Sequence, residues 1–163
     1  MGQINDINTQ LQERLVAEIE GIAMLSRSMC QVDGLVVTVP LQVKCYPKRR
    51  TENDLRTLAN AGAVLTRYAG STYGQSRAGK GWFVQDRELS FEVICVSNCL
   101  LDEDAAKGIY EILDIASDRL IGHVPAGAVG PVSLIRDDYL SELDGSWEYG
   151  IIVSVPVQKR GAS

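Results

Sequence analysis

One segment constrains the fold of this chain more than any other. Trp147, Tyr149, Ile151, Val153, Val155 and Val157 place a large apolar side chain at every second position of one unbroken stretch. Successive side chains of an extended strand point to opposite faces, so this spacing gathers them on one face of a sheet and requires that face to be covered. The strand therefore belongs at or near the centre of its sheet. Just before it, Asp144-Gly145 suits a tight turn with positive backbone angles, and Val132 to Leu143 reads as the first arm of the hairpin that the turn closes.

Two amphipathic helices are available as the cover. Ile4, Ile7, Leu11, Leu15, Ile19 and Ile22 recur at three- and four-residue steps and predict a helix from about residue 4 to 28. Asp102-Glu103-Asp104 supplies an N-cap and further carboxylates against the positive end of a helix dipole. Ala106, Ile109, Ile112, Leu113, Ala116 and Leu120 follow on one face, and Gly122 closes the helix.

The remaining strands follow from the same period of two. Leu35, Val37, Val39, Leu41, Val43 and Cys45 alternate along one long strand, within which Pro40 cannot donate a ladder hydrogen bond and so marks an edge or a bulge. Thr51 and Asp54 have the spacing of a capping box for a short helix ending near Gly62, and Ala63 to Ala69 reads as a strand. Trp82 to Ser97 reads as another, with Leu89, Phe91, Val93 and Cys95 on one face and Ser90 and Glu92 on the other. Between them, residues 70–81 hold Gly70, Gly74, Gly79 and Gly81, which predicts a long mobile loop. The resulting order, α-β-α-β-β-α-β-β, describes an α+β fold: a mainly antiparallel sheet with two long helices packed on one face. Residues 1–158 form a single domain in this reading, followed by a short polar tail, 159–163.

Every apolar run is interrupted by charge, Gly or Pro, far short of the roughly 20 residues a membrane-spanning helix needs. The start, Met1-Gly2-Gln3-Ile4-Asn5-Asp6, lacks the basic-then-apolar pattern of a secretory signal, so a soluble, cytoplasmic protein is expected. Cys30, Cys45, Cys95 and Cys99 are scattered among apolar neighbours and are expected to be free thiols. Structural zinc wants paired close spacings and more ligands than Cys95 and Cys99 provide, so no metal is expected. With 16 basic against 21 acidic residues, the formal charge of −5 is opposite in sign to a duplex-binding surface, and no specific nucleic-acid partner is expected.

Reactive chemistry has few candidates. Gly74-Gln75-Ser76-Arg77-Ala78-Gly79-Lys80 has the spacing of a phosphate-binding loop, but Gly81 stands where a Ser or Thr should hold magnesium, and a strand follows where a helix should begin. His123 is the only histidine and sits just past a helix C-terminus, where the dipole stabilises an imidazolium without any catalytic purpose. Asp137 and Asp138 are strand neighbours and point to opposite faces, which does not make an acid/base pair. No cofactor and no catalytic residue are therefore expected, the alternative being a small enzyme or anion-binding protein that uses the 70–81 segment or His123. The basic residues Lys48, Arg49, Arg50, Arg77 and Lys80 concentrate charge in two loops of an otherwise acidic chain, which suits contact with an acidic protein neighbour.

Three segments carry a family resemblance. Gly62-Ala63-Val64-Leu65-Thr66-Arg67-Tyr68-Ala69-Gly70-Ser71 followed by Tyr73, the stretch Glu88-Leu89-Ser90-Phe91-Glu92-Val93, and Trp147-Glu148-Tyr149-Gly150-Ile151 resemble the small Mu-like prophage proteins thought to act as tail terminators. The likeness covers roughly residues 10–158 and rests on strand patterns, glycines and an aromatic hairpin. It implies helices on an antiparallel sheet, a hexameric ring of sister copies, and contacts with the tail tube or sheath and the head–tail connector. It implies no active site. A ring on the DNA exit path would gain from an acidic lumen, because like charge keeps the duplex from sticking.

Overall fold

A computed structural model describes residues 2–25, 38–45, 62–97, 99–100, 107–143 and 145–161. In chain order these form α1 (Gln3–Ile19), β1 (Ala23–Leu25), β2 (Thr38–Pro40), β3 (Gln42–Cys45), β4 (Ala63–Gly79), β5 (Trp82–Ser97), α2 (Ile109–Leu120), β6 (Ser133–Leu143) and β7 (Ser146–Gly161). β1 and β2 make a small antiparallel pair, and the other strands make a five-stranded sheet in the order β3-β4-β5-β7-β6. β3 runs parallel to β4 and the other pairings within this sheet are antiparallel among the described residues, so the fold is α+β with a mixed sheet.

The alternating strands sit where their apolar faces require. β5 is central, with β4 on one side and β7 on the other. Leu89, Phe91, Val93 and Cys95 of β5 and Ile151, Val153, Val155 and Val157 of β7 are buried under Ile7, Leu11, Leu15 and Ile19 of α1 and Ile109, Ile112, Leu113, Ala116 and Leu120 of α2. Full burial of one such side chain stabilises the fold by roughly 1.5–3 kcal/mol, so this layer dominates stability. On the opposite face Ala63, Leu65, Ile94 and Val96 form a second, smaller cluster.

Several boundaries differ from expectation. α1 stops at Ile19, well before residue 28: Glu20 is extended and Gly21, at φ +88°, turns the chain. Gly21 N–H then donates to Leu41 O and Leu41 N–H to Ile22 O, so pairing with the strand region around residue 40 replaces further helical turns. The strand expected over 35–45 is divided in its described part at buried Leu41, with Thr38–Pro40 paired to β1 and Gln42–Cys45 to β4. Pro40 ends β2, opposite Ala23, where a missing donor costs little. α2 begins at Ile109 with Gly108 in the N-cap position, not at a cap formed by Asp102–Asp104. Those acidic residues, Ala106 and the expected helix over 51–61 lie outside the described residues.

The largest correction concerns residues 70–81. No loop forms there: β4 continues to Gly79, a two-residue turn follows, and β5 starts at Trp82. Lys159, Arg160 and Gly161, expected in the polar tail, extend β7 and pair with Gln85, Val84 and Phe83. The sheet thus overshoots its helices at one end as a three-stranded arm.

Candidate assembly interface

Each glycine read as loop freedom has a specific task in the arm. Gly70, at φ +128°, takes the register shift between Tyr68 and Gly70, and Gly74 lies inside a second shift between Tyr73 and Ser76. A Cβ on Gly79 would lie 2.3 Å from Trp82 Nε1, so the indole covers the bare backbone of its cross-strand neighbour. Gly81, at φ +83°, completes the turn with Lys80. Pairing on both sides of β5, rather than burial, therefore carries the hairpin outward.

Side chains stiffen its base. Tyr68 meets Phe91 edge-on at 5.8 Å between ring centroids, and its hydroxyl donates to Ser71 Oγ at 3.0 Å. That hydrogen bond, with Arg87 nearby, pulls the Tyr68 hydroxyl below the ordinary phenol range. Arg87 is buried, donates from Nε to Ser71 Oγ at 3.1 Å and lies 5.3 Å from the centre of the Tyr73 ring. Further out, Arg77 pairs with Asp86 at 3.0 Å, while Tyr73, Trp82 and Phe83 are exposed by 55%, 49% and 38%. Lys80 in the turn and Lys159 and Arg160 on β7 have no ion-pair partner among the described residues.

The far edge of the sheet has a different chemistry. Among the described residues β6 is hydrogen-bonded to β7 on one side only, and Leu134, Ile135, Tyr139 and Leu140 are exposed along it. Tyr139 contacts Trp147 and Tyr149 at 6.3 and 5.7 Å, and Tyr149 contacts Tyr110 at 5.6 Å, which makes a continuous aromatic patch beside α2. The hydrogen bond with Tyr110 raises the Tyr149 hydroxyl above its ordinary range. Asp137 and Asp138 occupy consecutive register positions, opposite Ile151 and Gly150, and so face opposite sides; Asp138 accepts from Arg136 Nε at 2.6 Å.

Beside the Ala63–Leu65–Ile94–Val96 cluster, the face turned away from α1 and α2 carries polar side chains that pair with one another. Arg67 is ion-paired with buried Glu92, Ser154 donates to Glu88, and Ser141 donates to buried Glu148 at 2.5 Å. Gly150 is required between them, since a Cβ there would lie 2.9 Å from Glu92 Oε1 and 3.0 Å from Leu140. An open depression of about 640 Å3 on this face is lined by Thr72, Glu88, Ser90, Arg136 and Ser154, where Glu88 accepts from Ser154 and Arg136 pairs with Asp138.

The sequence candidates thus separate. Arg77 and Lys80 lie together on the arm; Lys48, Arg49 and Arg50 lie outside the described residues. Residues 74–79 are strand and β5 follows the turn, so the chain continues past Lys80 as a strand and not as a helix. His123 sits past α2 with its backbone N–H bonded to Leu120 O and its O accepting from Val132 N–H; no partner binds its imidazole among the described residues. Cys95 and Cys99 are buried and form no disulfide, and burial pushes the Cys95 thiol up to about 12. Among the described residues no group of three or more His, Cys, Asp or Glu side chains gathers as metal ligands. Sequence reasoning missed Lys159 and Arg160 as members of the arm. The available signal was that Trp82–Ser97, as a central strand, needs a partner along its whole length.

These features define an α+β protein that presents a projecting basic arm, an aromatic patch and a β6 edge with no strand partner beyond β7 among the described residues. The chain belongs to the Gp37 family, a phage-associated family: residues 32–159 match the family described as Gp37 protein. It is thus a phage-related protein. No curated protein matches it. Among the described residues no helix is long and apolar enough to cross a membrane.

Proposed function

We propose that this protein is a structural component of the phage tail, acting as the terminator that caps the tube or sheath and prepares it for head joining. In this reading sister copies assemble in the host cytoplasm into a hexameric ring, which then sits in the virion tail between the tube or sheath protein and the head–tail connector. The observation that carries it is the arm: the β4–β5–β7 strands run past their core and expose Tyr73, Trp82 and Phe83. Aromatic side chains on a paired, stiffened scaffold suit a contact surface, because they cover large area at little entropic cost. The resemblance to Mu-like tail terminators and the phage family point the same way.

Removal of the gene from its phage, with complementation, tests the role. Loss should give tails of uncontrolled length or tails that do not join heads, restored by the intact chain. Normal tails on normal particles without the protein would exclude the terminator role. The proposal includes that the chain is not an enzyme. A thermal-shift screen against nucleotides and phosphorylated metabolites should be flat, whereas specific stabilisation would favour an anion-binding activity at Lys80 or His123.

A further inference from the structure

We infer that the basic arm of one copy docks on the acidic, aromatic β6–β7 hairpin of a second copy, joining chains head to tail. The inference rests on the self-assembly proposed above and names the two surfaces that meet. Charge is sorted by position along the sheet. At the arm, Lys80, Lys159 and Arg160 lack ion-pair partners among the described residues, in a chain whose formal charge is −5. Toward the other end, Asp137 and Glu142 have no ion-pair partner among the described residues, and Glu142 accepts from the backbone N–H of Gly145 at 2.6 Å.

One chain cannot bring these surfaces together. β5 pairs its Phe83 end with Gly161 of β7 and its Ser97 end with Trp147, so the arm tip and the hairpin turn lie at opposite ends of the same strands. β5 has 16 residues, which is about 50 Å of extended chain. The match is apolar as well as electrostatic. Trp82 and Phe83 on the arm answer Tyr110, Tyr139, Trp147 and Tyr149 at the hairpin, where the Lys and Arg side chains would also find ring faces. The outer edge of β6, which has no strand partner among the described residues, adds backbone groups beside the patch. Because the two surfaces differ, the contact is heterologous: repeated around an axis it closes a ring, and without closure it gives an open filament.

The test uses the full chain and sedimentation velocity over a concentration series. One variant reverses the arm (Lys80→Glu, Lys159→Glu, Arg160→Glu) and another reverses the hairpin (Asp137→Lys, Glu142→Lys), with circular dichroism and melting temperature confirming that both fold. Should Glu142→Lys upset the turn, Asp137→Lys alone replaces the hairpin variant. The wild type should form multimers that dissociate with salt, each variant alone should associate on the order of tenfold or more weakly, and an equimolar mixture should regain the multimer, since every contact is then between opposite charges. A wild type that stays monomeric, a reversal that assembles normally, or a mixture that stays monomeric would each overturn the inference. An arm reversal that assembles normally but loses retention on duplex DNA would overturn it in favour of a nucleic-acid partner. These outcomes are distinct from the gene-removal result, which tests the terminator role whichever surface joins the copies.

Discussion

The two halves of the β4–β5 pair are held by different forces. In the near half, Ala63 to Thr66 and Phe91 to Ser97 are buried on both faces, so each residue is fixed by what packs above and below it. In the far half, residues 72–82 are exposed almost without interruption, yet the ladder continues to Gly79 and Trp82. Backbone pairing on both sides of β5, two bulges and the contacts of Arg87 hold it there. A strand carried so far beyond its core is expected to contribute little to the stability of its own chain, and the surface it presents is the one the proposed assembly would use.

That contrast can be broken by substitution, beginning with the near half. Phe91→Ala removes a fully buried ring beneath both helices and should cost about 3–5 kcal/mol in urea denaturation; a loss below about 1 kcal/mol would mean that the near half is not the core. At the junction, Glu92 is buried against Arg67. Glu92→Ala should cost about 1.5–3 kcal/mol, with much of that loss recovered when Arg67→Ala is added, and additivity in the double-mutant cycle would show that the pair is not coupled.

The pH dependence sharpens the comparison in the core. The Cys95 thiol rises from 9.0 to about 12 on burial, so its neutral form is favoured by folding. Its contribution is intact below pH 9 and is lost as pH rises toward the folded value, at about 1.4 kcal/mol per pH unit. Denaturation of wild type and Cys95→Ala compared between pH 8 and pH 10 should show the steeper fall in the wild type, and parallel curves would refute the assignment. The smallest effect belongs to the arm. Lys80→Glu should change monomer stability by less than about 0.5 kcal/mol, and a loss comparable to Phe91→Ala would erase the distinction between the halves.

The sequence was legible where burial writes a period into it. The apolar faces of β5 and β7, the α1 and α2 stripes and the turn at Gly145 follow from alternation, helical spacing and turn chemistry, because each apolar residue had to be hidden. The far half carries no such signal. Gly70, Gly74, Gly79 and Gly81 look like a loop in one dimension, whereas in three they serve bulges, a turn and the indole of Trp82. Lys159 and Arg160 look like a frayed end because their only constraint is pairing with β5, a long-range contact that local pattern cannot encode. Arg77 and Lys80 read in the sequence as two of five basic residues concentrated in loops; their place on a paired arm, with Trp82 and Phe83, depends on the same pairing.

Amide hydrogen exchange followed as a function of protein concentration tests most directly whether the far half of the sheet is built for contact. In dilute monomer, amides of residues 72–79 and 83–87 should exchange much faster than those of Phe91 to Val96, and they should slow as copies assemble while α1 and the near half stay unchanged. Arm amides as slow as the core in dilute solution, and indifferent to concentration, would contradict the account.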